Sequence, residues 1–190
     1  GGSAVSLATG MVPLATGSDY GGSLRTPASF CGVVGFRPSP GVVPNELRSV
    51  GLNPFSVLGP MGRTVADAAL LLSAMIGDDP RDPFGSGIDP ELAEPLQSAD
   101  LASLRVAISE DLGVAPLDND IRECFRRKID TIRHIFADAQ DHDPPFDDDL
   151  HRAFEVLRCV NYLSAHGEKV ENHRDLLTPN VVANVDMAAN

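Results

Sequence analysis

Residues 17–28 read Gly17-Ser18-Asp19-Tyr20-Gly21-Gly22-Ser23-Leu24-Arg25-Thr26-Pro27-Ala28, a glycine-rich turn that delivers one serine to the start of a helix. Paired glycines let the backbone bend tightly and let a ligand reach main-chain N–H groups with no Cβ in the way. Pro27 suits a first helical turn. Such a turn is a ready oxyanion hole: its N–H donors would stabilise the charge that develops on a carbonyl oxygen attacked by Ser23, usually the largest single catalytic contribution. A Gly-Gly-Ser tripeptide alone is also common in ordinary loops.

The wider pattern decides between these readings. Gly1-Gly2-Ser3-Ala4, Pro13-Leu14-Ala15-Thr16-Gly17-Ser18-Asp19, Gly21-Gly22-Ser23-Leu24-Arg25 and Phe30-Cys31-Gly32-Val33-Val34-Gly35-Phe36-Arg37-Pro38 follow one another in a fixed order. A later stretch is Gly59-Pro60-Met61-Gly62-Arg63-Thr64-Val65-Ala66-Asp67. Together these resemble the amidase signature family, densely over residues 1 to about 80 and thinly beyond. The resemblance implies an α/β fold with a mixed central β-sheet covered by α-helices. It also implies that residues 1–190 are part of a single domain truncated at both ends, with 1–80 as the nucleophile-bearing core and 81–190 as a peripheral strand and helices.

The family's mechanism uses a Ser-cis-Ser-Lys triad, in which the second serine relays a proton between the nucleophile and a lysine base. By this resemblance Ser23 is the nucleophile, the backbone N–H groups of Tyr20, Gly21, Gly22 and Ser23 form the oxyanion hole, and Asp19 with Arg25 supports the loop. The relay serine belongs to a Gly-Gly-Ser-Ser-Gly-Gly-Ser motif of which Gly1-Gly2-Ser3 matches only the end, so it is expected just before residue 1. The base lysine is expected further upstream, since no Lys precedes Lys128. The chain is accordingly expected to be an internal fragment, itself inactive, of an amide hydrolase that forms a serine acyl-enzyme and needs no cofactor.

Two alternatives stand beside that reading. One is the amidase subunit of the glutamyl-tRNA amidotransferase. Thr26, where those subunits carry Gln, and Val43-Pro44-Asn45-Glu46-Leu47-Arg48-Ser49, where they carry a Ser-Arg-Tyr-Gly-Leu-like segment, favour the stand-alone hydrolase. The other is a catalytically silent fragment.

Composition bounds the partners. With 190 residues and 43% hydrophobic content the chain can bury a core. A formal net charge of -12 argues against a nucleic-acid face, which needs clustered Lys and Arg. Arg126-Arg127-Lys128, the densest basic run, reads as a solvated helix face. No apolar run reaches the ~20 residues of a membrane span. The partner expected is a small-molecule amide, without nucleic acid or membrane, and a homodimer is admitted. Cys31, Cys124 and Cys159 lack CxxC spacing and read as buried small hydrophobes in a reducing compartment, with cytoplasm as the default. A targeting segment is left open by a chain that begins with Gly.

The patterning predicts a helix over 3–9, a strand over 12–16, a helix over 24–31 and a strand over 33–36. Residues 37–58 read as a long irregular connection. Thr64 and Asp67 form a capping box for a buried helix carrying Val65, Ala68, Ala69, Leu72 and Ile76, terminated by Gly77. Residues 78–100 read as surface loop, 104–109 as a strand, and Asp118 as the cap of a helix with Ile121, Cys124, Phe125, Ile129, Ile132, Ile135 and Phe136 as its apolar stripe. A last helix over 147–165 turns Leu150, Ala153, Phe154, Leu157 and Val160 inward, and 170–190 is weakly patterned.

Competing chemistries fare worse. A Gly-x-Ser-x-Gly elbow fails at Arg25, and a P-loop fails for want of a lysine between Gly17 and Ser23. A Ser-His-Asp triad would draw on His134, His142, His151, His166 or His173, all far along the chain. Asp141-His142-Asp143 and Asp147-Asp148-Asp149 have acids for a hard cation, yet read as solvated capping residues, so no metal is expected.

Overall fold

The computed structural model describes residues 1–48, 50–85, 87–93 and 96–189. The chain divides into two compact units, Gly1–Gln97 and Ser98–Asn190.

The first unit is built on a three-stranded antiparallel sheet of order β1-β3-β2. Helix α1 (Gly2–Ala8) precedes β1 (Leu14–Asp19), followed by α2 (Arg25–Cys31), β2 (Val34–Gly35), β3 (Val57–Gly62) and α3 (Val65–Met75). β1 pairs along its whole length with β3, from Leu14 opposite Gly62 to Asp19 opposite Val57. The expected helices over 3–9 and 24–31 and the strand over 33–36 are present, whereas the first strand begins later than expected and runs on to Asp19. The central strand, β3, departs from the sequence pattern, because Gly59, Pro60 and Gly62 read as turn residues. Its glycines instead admit close packing: a Cβ on Gly59 would stand 2.3 Å from the Phe36 carbonyl oxygen. Pro60 lacks a donor but accepts the Phe36 N–H at 3.1 Å.

Ala4, Leu7, Leu24, Ala28 and Met61 form the core of this unit, joining α1, α2, the loop between β1 and α2, and β3. Fully buried Leu24 anchors the residue next to Ser23 in that core, a burial of the order of 2 kcal/mol. Both bonds of the Thr64–Asp67 capping box form. The helix it starts is only partly buried: Ala68 and Ala69 are inside, but Val65 and Leu70 are exposed. Residues 78–85 are not wholly surface loop either, since Asp82 is buried.

In the second unit, β4 (Arg105–Ile108) and β5 (Asp138–Asp141) pair in parallel around α4 (Asn119–Ile132), followed by α5 (Asp148–His173) and α6 (Pro179–Ala189). Asp118 caps α4 and Asp147 caps α5, each through a side-chain oxygen that accepts a backbone N–H. The stripe on α4 stops at Ile132, and β5, too polar to read as a strand, follows. α5 runs past its expected end, and α6 forms in the weakly patterned tail. This pairing corrects the expected inward face of α5. Leu150, Leu157 and Val160 are exposed, while Cys159 and Val170 on α5 and Val185 on α6 are buried. Of the three cysteines only Cys159 is buried, so the expectation fails for half-buried Cys31 and exposed Cys124. Among the described residues no helix is long and apolar enough to cross a membrane.

Candidate functional site

Asp19, the last residue of β1, is the hub of the loop that carries Ser23. It is fully buried, and its carboxylate accepts the backbone N–H of Gly22 at 2.7 Å and of Leu24 at 3.2 Å. Arg25 approaches it with two nitrogens, Nε at 3.0 Å and Nη2 at 3.1 Å, so the expected Asp19–Arg25 pair is formed as a fork. Arg37 Nη1 adds a third direction at 3.1 Å, and also donates to the Asp19 carbonyl and, at 3.0 Å, to that of Phe55. Burial opposes charge on Asp19, but the Arg25 bond and the Gly22 and Leu24 N–H donors outweigh it and hold the carboxyl well below the usual range. A carboxylate kept ionised well below the usual range therefore fixes the turn from inside.

The turn then presents Ser23 outward. Gly22 is buried with φ of +112°, a left-handed conformation that a side chain strains to adopt, and a Cβ there would meet Thr26 Oγ1 at 2.8 Å. Ser23 and Gly21 are exposed. Of the four N–H groups expected to form the oxyanion hole, that of Gly22 is committed to Asp19. Those of Gly21 and Ser23 donate to none of the described residues and can face a ligand.

A shallow cavity of about 500 Å³ lies over this turn, bordered by Gly1, Val5, Gly21, Ser23, Pro27 and Phe30. Gly1 and Ser23 thus share one cavity. The first unit contains no lysine and no histidine. A larger cavity of about 660 Å³ belongs to the second unit, at the carboxyl ends of β4 and β5. Of its acids, Glu110 pairs with Arg122 and Arg126, Asp111 with Arg122, Asp141 with Arg133, and Asp143 accepts the Ser109 hydroxyl at 2.6 Å.

Sequence reasoning misses three parts of the site. Arg37 lies within the Gly35-Phe36-Arg37-Pro38 motif, which assigns it no role. Tyr20 receives a hydrogen bond on its hydroxyl from Asn53 Nδ2 at 3.2 Å and stacks at a tilt on Phe55, ring centroids 5.7 Å apart. Arg48 and Asp82, far apart in sequence, pair in the interior. No local signal announces contacts between irregular segments. In the segment 43–49, Val43, Asn45 and the Arg48 side chain are buried rather than open to a pocket, Leu47 is exposed, and Ser49 lies outside the described residues.

Comparison with known proteins points one way. A family model described as Amidase matches residues 1–184. The chain is 40% identical over 154 residues to a glutamyl-tRNA(Gln) amidotransferase subunit of Ralstonia pickettii (strain 12J), covering 74% of this chain and 31% of that protein. Against the corresponding subunit of Salinibacter ruber (strain DSM 13855 / M31) it is 35% identical over 173 residues, covering 90% and 32%. Among solved structures, a bacterial aryl acylamidase of the amidase signature enzymes superposes with a TM-score of 0.83 at 25% identity, over 100% of this chain and 41% of that one. The glutamyl-tRNA(Gln) amidotransferase subunit from Thermotoga maritima gives 0.63 at 27% identity, over 99% and 40%. The chain spans about a third of the length of the curated relatives it matches.

Proposed function

The chain belongs to the Amidase family, and from that premise we propose that the full-length protein hydrolyses a carboxylic amide through an acyl-enzyme on Ser23. The observation that carries the reading is the Asp19-anchored turn, which leaves an exposed serine hydroxyl beside two uncommitted backbone donors. Ser23 Oγ attacks the amide carbonyl carbon and passes its proton to a base. The tetrahedral oxyanion is held by the Gly21 and Ser23 N–H groups. Collapse breaks the C–N bond and expels ammonia or an amine, which takes up a proton, and water then releases the acid from Ser23.

The proton acceptor is assigned to a relay serine and a lysine upstream of residue 1. Gly1 supports that assignment in that it borders the same cavity as Ser23. The substrate class proposed is a small linear amide, in a cytoplasmic enzyme.

The test is a screen of the full-length protein, without added subunits, against aliphatic, aryl and amino-acid amides. Turnover of one of these, reduced to background by Ser23→Ala, is the expected result. The identity to amidotransferase subunits favours one second reading, ammonia supply from glutamine for a charged tRNA. That reading gains support if the protein alone turns over none of these amides and activity appears once partner subunits are added.

A further inference from the structure

We propose that Asp82 is a positioning residue for the Ser23 loop, acting through Arg48 on the segment that holds Tyr20; as a role in catalysis this rests on the amidase reading above. The Arg48 and Asp82 side chains are only 2% and 0% exposed. Arg48 meets Asp82 with two nitrogens, Nε and Nη2, each at 3.4 Å, and its plane lies over the Phe84 ring, 4.9 Å from the centroid. The Asp82 carboxylate is saturated from its other side by the Asn45 N–H at 2.8 Å and the Phe84 N–H at 3.0 Å. The pair therefore staples residues 45–48 to residues 82–84.

Arg48 then reaches onward. Its Nη1 donates to the carbonyls of Asn53, at 3.2 Å, and of Ser56. Those two carbonyls bracket the side chains that grip Tyr20: the Asn53 amide on the hydroxyl and the Phe55 ring on the aromatic face. Tyr20 stands between Asp19, which is fixed, and Gly21, whose N–H is one of the two open donors. Arg37 holds the Phe55 carbonyl from the Asp19 side. Residues 53–56 are thus held by two arginines, half-buried Arg37 and buried Arg48, and Asp82 is the buried carboxylate that neutralises Arg48. Without that charge a buried guanidinium is uncompensated and must seek water, releasing Asn53 and Ser56. A displacement near 1 Å at the donors is enough to slow acylation strongly.

The experiment uses the full-length protein with a fluorophosphonate probe, measuring the maximal inactivation rate kinact and the probe's binding constant KI, together with hydrogen exchange by mass spectrometry. Asp82→Asn should lower kinact about tenfold at unchanged KI. It should speed deuterium uptake in residues 50–56 and 20–24, while Asp79→Asn, at a half-buried neighbouring acid whose carboxylate is held by Arg81 and not by Arg48, changes neither. A folded Asp82→Asn protein with parental kinact and parental uptake at 20–24 overturns the proposal. Should that variant not fold, Tyr20→Phe removes only the hydroxyl at the end of the relay; reduced kinact supports the proposal and parental kinact overturns it. A parent that the probe does not label at Ser23 sinks the amidase reading instead, and uptake at 20–24 in Asp82→Asn still decides whether the staple holds the loop.

Discussion

Asp19 illustrates how one buried carboxylate shapes an exposed turn. It takes backbone donors that would otherwise point outward and leaves only selected N–H groups for a ligand. Asp19→Asn keeps the shape but loses the charge that Arg25 and Arg37 share. Its expected cost is about 2–3 kcal/mol, below the range for fully buried pairs because Arg25 is largely exposed, measured as a lower denaturant midpoint. The lowered native pKa fixes the sign with pH: the Asp19 contribution is complete above the ordinary aspartate value near ~3.9 and is lost as pH falls towards the depressed native value. The stability gap between parent and Asp19→Asn should therefore close on acidification below about pH 4. Gly22 is the second exacting residue. Gly22→Val meets both the left-handed φ and Thr26, so probe labelling of Ser23 should fall by about 10²-fold or more; near-parental labelling with native circular dichroism speaks against the loop geometry as the source of activity.

At the level of elements, the sharpest case is β3. Its Gly-Pro-Met-Gly run has the composition of a turn, yet it is the central strand, because what its neighbours require there is small volume rather than β propensity. Gly59→Ala sets a Cβ against the Phe36 carbonyl and Leu24, and should cost about 3 kcal/mol, the upper range for overpacking. Thr64→Ala removes one capping-box bond from α3 and should cost about 1 kcal/mol. Thermal unfolding of the two variants checks that order. The same contrast separates what is legible in the sequence from what is not. Helix starts are readable at Thr64, Asp118 and Ser23 because caps and tight turns are local chemistry. β5 is not, since Asp138 to Asp141 is polar and becomes a strand only by pairing with β4. The buried face of α5 escapes the pattern because α6, whose Asn184 and Met187 meet Cys159, has no strong signal of its own. In the site, Asp19, Arg25 and Ser23 are readable within seven residues of sequence, whereas the Arg37 and Asp82 contacts depend on how the irregular segment 37–58 closes on itself.

For the whole molecule, the two units differ in chemical content. The first carries the serine and its donors but neither lysine nor histidine, and general-base assistance supplies about 10²–10⁴ in rate. Residues 1–190 expressed alone should therefore hydrolyse amides no faster than their own Ser23→Ala variant. An enzyme-like, Ser23-dependent rate from that chain would place the base within it, with Lys128, Lys169 and the five histidines as candidates. The central claim, covalent catalysis on Ser23, is tested most directly by acid-quenching the full-length protein during steady-state turnover of its best amide and mapping the adduct by peptide mass spectrometry. The account predicts the substrate's acyl mass on the peptide containing Ser23, absent from Ser23→Ala. Turnover with no acyl adduct on that peptide, or undiminished turnover by Ser23→Ala, would contradict it.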